Sequence, residues 1–180
     1  MRRACCLVVL VALAWLGRPV RAQSLEDEVK AAFLYNFAKF VEWPADAFDS
    51  AEEPLTFCLV GRDPFGPALD ELLAGEHVRE RPLAVRRLDR VTRDDRCHIL
   101  FVSPSEAQRF PALLRAVDRR RVLTVSDGLA FLEAGGHISF FLDASRVRFA
   151  VNQEATDAAE FKMSAKLLQV ARRPESTRRR

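Results

Sequence analysis

The side chains that could do chemistry are few in this 180-residue chain. The histidines His77, His98 and His137 include no metal-ligand pair at i, i+4, and the sequence has no Gly-x-Ser-x-Gly nucleophile motif. Cys97 and His98 are adjacent in a predicted strand, so their side chains point to opposite faces and are poorly placed to share a metal. We find no acid–base pair of carboxylates. The sequence therefore predicts no catalytic residue, no metal site and no cofactor.

A turn with two glycines, Gly61-Arg62-Asp63-Pro64-Phe65-Gly66, joins a predicted strand to a predicted helix. Backbone N–H groups at such a junction bind phosphate in many proteins. The segment lacks the Lys and Ser/Thr of a P-loop and the third glycine of a dinucleotide motif. A plain structural turn is therefore the favoured interpretation, and the candidate ligand-binding residues are Gly61, Arg62, Asp63 and Gly66.

The first 22 residues have the three parts of a secretory signal peptide. Two arginines precede an apolar stretch that ends at Leu16, and small residues lead to Ala22. We expect export, cleavage near Ala22, and no membrane insertion afterwards, because no later segment is long enough to span a bilayer. The cysteines that remain, Cys58 and Cys97, enter an oxidising compartment that favours a disulfide. Two separately buried thiols are the alternative.

The two ends of the chain are rich in arginine, whereas the segment between them is acidic. Lys and Arg number 28 against 25 Asp and Glu, but the leader holds four arginines, which leaves 24 basic against 25 acidic residues in the mature chain. Five more arginines lie in residues 172–180, which we expect to be a disordered tail. The body is therefore acidic and without a basic face, which argues against a nucleic-acid partner.

The apolar pattern predicts one α/β domain over residues 23–171. Five aromatics between Val29 and Pro44 accompany an apolar stripe at helical spacing, which is typical of a helix lying on a sheet. Strands and helices then alternate, with strands predicted at 55–60, 83–88, 97–102, 122–125, 137–142 and 147–151, and helices at 64–74, 105–117, 127–133 and 155–171. The alternation predicts a three-layer α/β/α domain, with a mixed, mainly parallel sheet and an antiparallel hairpin near the C-terminus.

The same segments resemble the YfiR family along nearly the whole mature chain. The matching segments are VKAAFLYNFAKFVEWP (29–44), FCLVGRDPFGPAL (57–69), CHILFVS (97–103), VLTVSDGLAFLEAGGHISFF (122–141), RVRFAVN (146–152) and KMSAKLLQVA (162–171). The resemblance implies a periplasmic repressor that binds the periplasmic sensory domain of a membrane-bound diguanylate cyclase of the YfiN type. Such binding restrains cyclic di-GMP synthesis and biofilm formation.

The resemblance also implies particular residues. The family member YfiR carries a disulfide that matches Cys58 and Cys97, and a second, later pair that this sequence lacks. The family's partner-binding and dimer surfaces involve the late strand and the closing helix, so the partner-binding candidates are Phe149, Val151, Phe161, Met163 and Leu167. A homodimer is implied as well. For each candidate, simple packing in the core is the alternative.

Two other functions remain open from the sequence. The first is a periplasmic sensor that binds a small molecule in an α/β crevice, at the turn from Gly61 to Gly66, without a cyclase partner. The second is a hydrolase or redox enzyme, which is weaker because Cys58 and Cys97 lack the C-x-x-C spacing of an oxidoreductase.

Overall fold

The computed structural model describes residues 25–172, so the predicted signal peptide and the tail after Arg172 lie outside the described residues. The helices are α1 Leu25–Phe40, α2 Pro67–Leu73, α3 Phe110–Ala116, α4 Ala130–Glu133, α5 Gln153–Ala158 and α6 Ala165–Val170. The strands are β1 Val41–Glu42, β2 Leu55–Val60, β3 His77–Val78, β4 Arg81–Leu88, β5 Ile99–Val102, β6 Leu123–Asp127, β7 Ile138–Asp143, β8 Arg146–Val151 and β9 Lys162–Met163. Short 3-10 helices lie at Ala45–Ala47, Arg93–Asp95 and Pro104–Arg109.

The central sheet of the described residues has seven strands in the order β3-β4-β2-β5-β6-β7-β8. The pairs β4-β2, β2-β5, β5-β6 and β6-β7 are parallel, whereas β3-β4 and β7-β8 are antiparallel hairpins at the two edges. A two-residue turn with positive φ at Ala144 and Ser145 closes the late hairpin. The predicted mixed, mainly parallel sheet with a C-terminal hairpin is confirmed, and the β3-β4 hairpin was not predicted.

Helices cover both faces of this sheet because its central strands are apolar on both sides. In β2 and β5, Phe57, Leu59, Ile99 and Phe101 face the core that α1 and α2 seal. Their sequence neighbours, such as Val60 and Leu100, face the second core beneath α3 and α4. The structure therefore has the predicted three layers.

The predicted disulfide joins β2 to the segment just before β5, and both cysteines belong to the core beneath α3 and α4. Cys58 lies in β2, and Cys97 lies just before the neighbouring strand β5, with a Cα–Cα distance of 5.7 Å. Parallel neighbours at this separation allow a bridge without backbone movement. The alternative of two separately buried thiols is therefore not what the structure contains.

The buried face of α1 differs in part from the predicted apolar stripe, which consists of Val29, Phe33, Phe37, Phe40 and Val41. Val29 is more than a third exposed, and the side chains that α1 buries are Lys30, Ala31, Leu34, Phe37 and Ala38. A buried lysine on this face was not anticipated, because periodicity alone assigns a charged side chain to the solvent side. Lys30 is buried with its charge paired, as its contact with Asp127 of β6 shows.

The prediction of one continuous closing helix over 155–171 is wrong. Helix α5 ends at Ala158, β9 follows at Lys162–Met163, and α6 begins at Ala165. The break falls at Glu160, whose φ of 62° lies in the left-handed region and cannot continue a right-handed helix. The two short helices therefore present different faces from those of one continuous helix.

Candidate partner-binding surface

Three of the five predicted partner-binding residues are buried. The ring of Phe149 in β8 packs edge-on against Phe33 and Phe37 of α1, at centroid distances of 5.3 and 5.1 Å. Phe161 and Leu167 are also buried and belong to the same core. Phe149, Phe161 and Leu167 therefore pack in the core, as the alternative interpretation holds. Their side chains offer little surface to a partner.

The other two predicted residues, Val151 and Met163, are partly exposed and lie at the margin of that core. Beside them, α6 presents Leu168 and Val170, which are 37% and 45% exposed. We call Val151, Met163, Leu168 and Val170 the C-terminal surface. Leu168 and Val170 were missed as site residues because the sequence pattern was read as one continuous helix.

Local hydrogen bonds fix the elements that carry the C-terminal surface. The side chain of Asn152 caps α5 by accepting from the N–H of Ala155, and Ser164 caps α6 by accepting from the N–H of Leu167 at 3.2 Å. Strand β9 pairs antiparallel with β1, and the N–H of Ser164 donates to the carbonyl of Phe40. The last elements are therefore tied to the end of α1.

Strand β8 ends the sheet, and its outer edge has no strand partner among residues 25–172. The N–H of Arg172 donates to the carbonyl of Phe149 at 2.9 Å, which places the chain after α6 against this edge. An edge strand offers unpaired backbone groups to another chain. The C-terminal surface thus combines exposed apolar side chains with a sheet edge, which are features that suit a protein partner.

The predicted ligand-binding turn is filled by its own chain. Gly61 has a φ of 88°, and a Cβ there would lie within 3 Å of Ser103, Ser105 and Glu106. The N–H of Arg62 donates to the hydroxyl of Ser105 at 3.0 Å. This packing occupies the crevice between the carboxyl ends of β2 and β5, where the strand order reverses and α/β proteins bind ligands.

The acceptors of this turn are also engaged. Asp63 accepts from the N–H of Phe65 at 2.7 Å and from Nε of Arg87 at 2.7 Å. The carbonyl of Gly66 accepts from Nη2 of Arg87 at 2.7 Å, and the same guanidinium pairs with Asp70. Ligand binding by these four residues stays a prediction, and the favoured interpretation as a structural turn agrees with their contacts.

His98 is buried beneath the loop between β1 and β2. Its Nδ1 accepts from the N–H of Thr56 at 3.1 Å, and Phe48 of the loop stacks on its ring at 4.1 Å. Burial lowers the pKa of His98 to about 4, against the opposing charge of Glu53. The imidazole is therefore neutral at neutral pH and serves as a hydrogen-bond acceptor in the core.

His137, which lies just before β7, is held in the same way. Its Nδ1 accepts from the N–H of Thr124 at 3.0 Å, and its ring lies edge-on to Phe161 at 5.2 Å. Burial, assisted by the charge of Arg119, lowers the pKa of His137 to about 3. Both buried histidines therefore accept a hydrogen bond from a backbone N–H group.

Two further observations on the described residues concern metal binding and membrane-spanning helices. Between Leu25 and Arg172, no three or more His, Cys, Asp or Glu side chains come together as a metal-binding group. In the same part of the chain, no helix has the length and apolar character that crossing a membrane requires.

Comparison with models of known protein families identifies a relationship. The family model described as YfiR/HmsC-like matches residues 27–172, which is most of the chain. No curated protein matches the chain significantly.

Proposed function

Since the chain belongs to the YfiR/HmsC-like family, we propose that it is a periplasmic negative regulator of an inner-membrane diguanylate cyclase. It binds the periplasmic sensory domain of the cyclase and restrains cyclic di-GMP synthesis and thereby biofilm formation. The match over residues 27–172 is the single observation that carries this proposal.

The proposed mechanism needs no catalytic residue in the regulator. A protein that binds the inactive state of the cyclase more tightly than the active state shifts the equilibrium toward the inactive state. A tenfold difference between the two affinities is worth about 1.4 kcal/mol, which is enough to change cyclase output markedly. The exported chain with its disulfide suits a partner domain in the same oxidising compartment.

We place the contact at the C-terminal surface. Leu168 and Val170 are exposed, whereas Phe149, Phe161 and Leu167 are buried and act by holding β8 and α6 in position. Exposed apolar side chains next to the last strand of the sheet suit a partner that covers both. The homodimer that the resemblance implies stays a prediction, and a second copy would compete with the cyclase if it used the same surface.

A deletion strain tests the regulatory role. Removing the gene should raise cellular cyclic di-GMP and biofilm mass, and expression of the wild-type chain from a plasmid should restore both. Unchanged cyclic di-GMP in the deletion strain, together with failure of the tagged chain to recover a diguanylate cyclase from detergent-solubilised membranes, would contradict the proposal.

A pair of surface variants tests the location. Leu168→Glu on α6 should fail to restore low cyclic di-GMP, because it places a charge in the proposed contact. Leu72→Glu on α2 is the matched control, since Leu72 is equally exposed at 37% and α2 packs near β4, at the opposite edge of the sheet from β8. Equal loss of function in both variants would refute this location.

A further inference from the structure

A groove lies where the loops before β5, β6 and β7 meet α3, at the amino ends of the parallel strands. Its volume is about 610 Å³, which is within the range of small-molecule sites. Pro111, Leu114 and Val117 supply apolar wall, and Arg93, Arg115 and Arg119 supply three guanidinium groups. We call it the arginine groove.

The guanidinium of Arg119 is fixed in position at this groove. Its Nη2 donates to the carbonyl of Gly135, and its Nε is buried with no hydrogen-bond partner among the described residues. The hydrogen bond to Gly135 therefore holds this guanidinium at the wall of the groove.

The other two arginines are unpaired. Within residues 25–172, the side chains of Arg93 and Arg115 make no hydrogen bond or ion pair. The one carboxylate in the groove wall, Asp118, already accepts from the N–H of Arg120 at 3.1 Å. The groove therefore carries positive charge on a body that is acidic as a whole.

The cavity next to the arginine groove gives a contrast. It has a volume of about 300 Å³, shares Arg93 with the arginine groove, and contains two further arginines, Arg96 and Arg121. Both of these pair with Asp49, and Glu53 lies 3.8 Å from Arg96. Arg96 and Arg121 are thus paired with a carboxylate, whereas the side chains of Arg93 and Arg115 have no such ion pair within residues 25–172.

We propose that the arginine groove binds a small organic anion, which carries a phosphate or carboxylate group next to an apolar group. The guanidinium groups of Arg93, Arg115 and Arg119 hold the anionic group, since their planar donors match carboxylate and phosphate oxygens. Leu114 and Val117 contact the apolar part. The size of the groove favours such a ligand over a macromolecule.

This site is separate from the proposed cyclase contact. The groove is built on the core beneath α3 and α4, whereas Leu167 of α6 packs in the core on the other face of the sheet. Ligand binding can therefore be measured on the isolated mature chain without a cyclase, so its outcome is independent of the regulatory role.

Phenyl phosphate is the probe, and its binding to the mature chain is measured by calorimetry and by chemical-shift changes in NMR spectra. We expect saturable binding that is tighter than that of inorganic phosphate, and no saturable binding of benzyl alcohol, which lacks the charge. The double variant Arg93→Ala/Arg115→Ala should bind phenyl phosphate about tenfold more weakly. Within residues 25–172, neither arginine side chain has a hydrogen bond or ion pair that the substitutions would remove. Arg146→Ala, an exposed arginine at the opposite end of the sheet, should bind as the wild type does.

Each other outcome would overturn the proposal. Absence of saturable binding at millimolar phenyl phosphate would show that the groove is not an anion-binding site. Unchanged affinity in the double arginine variant would place binding elsewhere. Inorganic phosphate that binds as tightly as phenyl phosphate would exclude an amphipathic ligand, and binding restricted to acidic proteins or peptides would show that the groove is a macromolecular contact.

Discussion

Lys30 places a positive charge on the buried face of α1, where it is only 4% exposed. Its ammonium group contacts Glu26 one turn earlier at 2.5 Å and Asp127 at the end of β6. Burial by itself lowers the pKa of Lys30, but hydrogen bonds to Asp127 and Glu26 outweigh this effect and raise it. The pair therefore stabilises the fold below the ordinary lysine pKa of 10.5, and the contribution is lost as pH rises through the higher folded value.

We expect Lys30→Met to lower the free energy of unfolding by about 1 to 3 kcal/mol, because Asp127 is left half-buried without its cation. The measurement is urea unfolding at neutral pH, with Lys39→Met on the exposed side of α1 as the control. Equal stability of Lys30→Met and the wild type would show that the ion pair adds nothing beyond apolar packing.

The two buried histidines predict acid sensitivity. The pKa of His98 is about 4 in the folded chain, against an ordinary value of 6.5. Between these pH values the unfolded chain therefore binds a proton at His98 and the folded chain does not. Stability should therefore be full above pH 6.5 and should fall as pH drops from there toward 4, by up to about 1.4 kcal/mol per pH unit for each histidine.

The variant His98→Asn keeps an acceptor for the N–H of Thr56 and cannot titrate. It should reduce the slope of unfolding free energy between pH 6.5 and 5 by about 1.4 kcal/mol per pH unit. The exposed His77→Asn is the control and should keep the wild-type slope. An unchanged slope in His98→Asn would show that His98 is protonated in the folded protein.

At the scale of elements, the strands were predictable and the C-terminal segment was not. The apolar runs of β2 and β5 are buried on both faces, and that pattern needs only sequence to recognise. The break at Glu160 carries no such signal, because Glu is a good helix former and the residue adopts a positive φ only through its tertiary setting. The positions of Leu168 and Val170 depend on that break and could not be derived from periodicity.

The break gives a stability prediction. Glu160→Gly should raise the free energy of unfolding by about 1 kcal/mol relative to Glu160→Ala, because only glycine adopts a φ of 62° without strain. Both variants lose the same exposed ion pair with Arg120, so their difference isolates the backbone effect. Thermal unfolding measures it, and equal stability of the two variants would show that the turn carries no strain.

At the scale of the whole molecule, the sheet separates two surfaces with different chemistry. The C-terminal surface adjoins α1 and the edge strand β8, whereas the arginine groove lies at the amino ends of β5 and β6. The sequence predicted the layers, the disulfide and the family, since these follow from local apolar runs and spaced motifs. It did not predict the groove, because Arg93 comes next to Arg115 and Arg119 only in the folded chain.

The central claim is that this chain binds the periplasmic domain of a diguanylate cyclase through its C-terminal surface. The most direct test is calorimetric titration of the mature chain with the purified periplasmic domain of the cyclase from the same organism. The account predicts saturable binding that Leu168→Glu weakens at least tenfold, or by about 1.4 kcal/mol, and that Leu72→Glu leaves unchanged. Absence of binding at micromolar concentrations, or equal weakening by both variants, would contradict it.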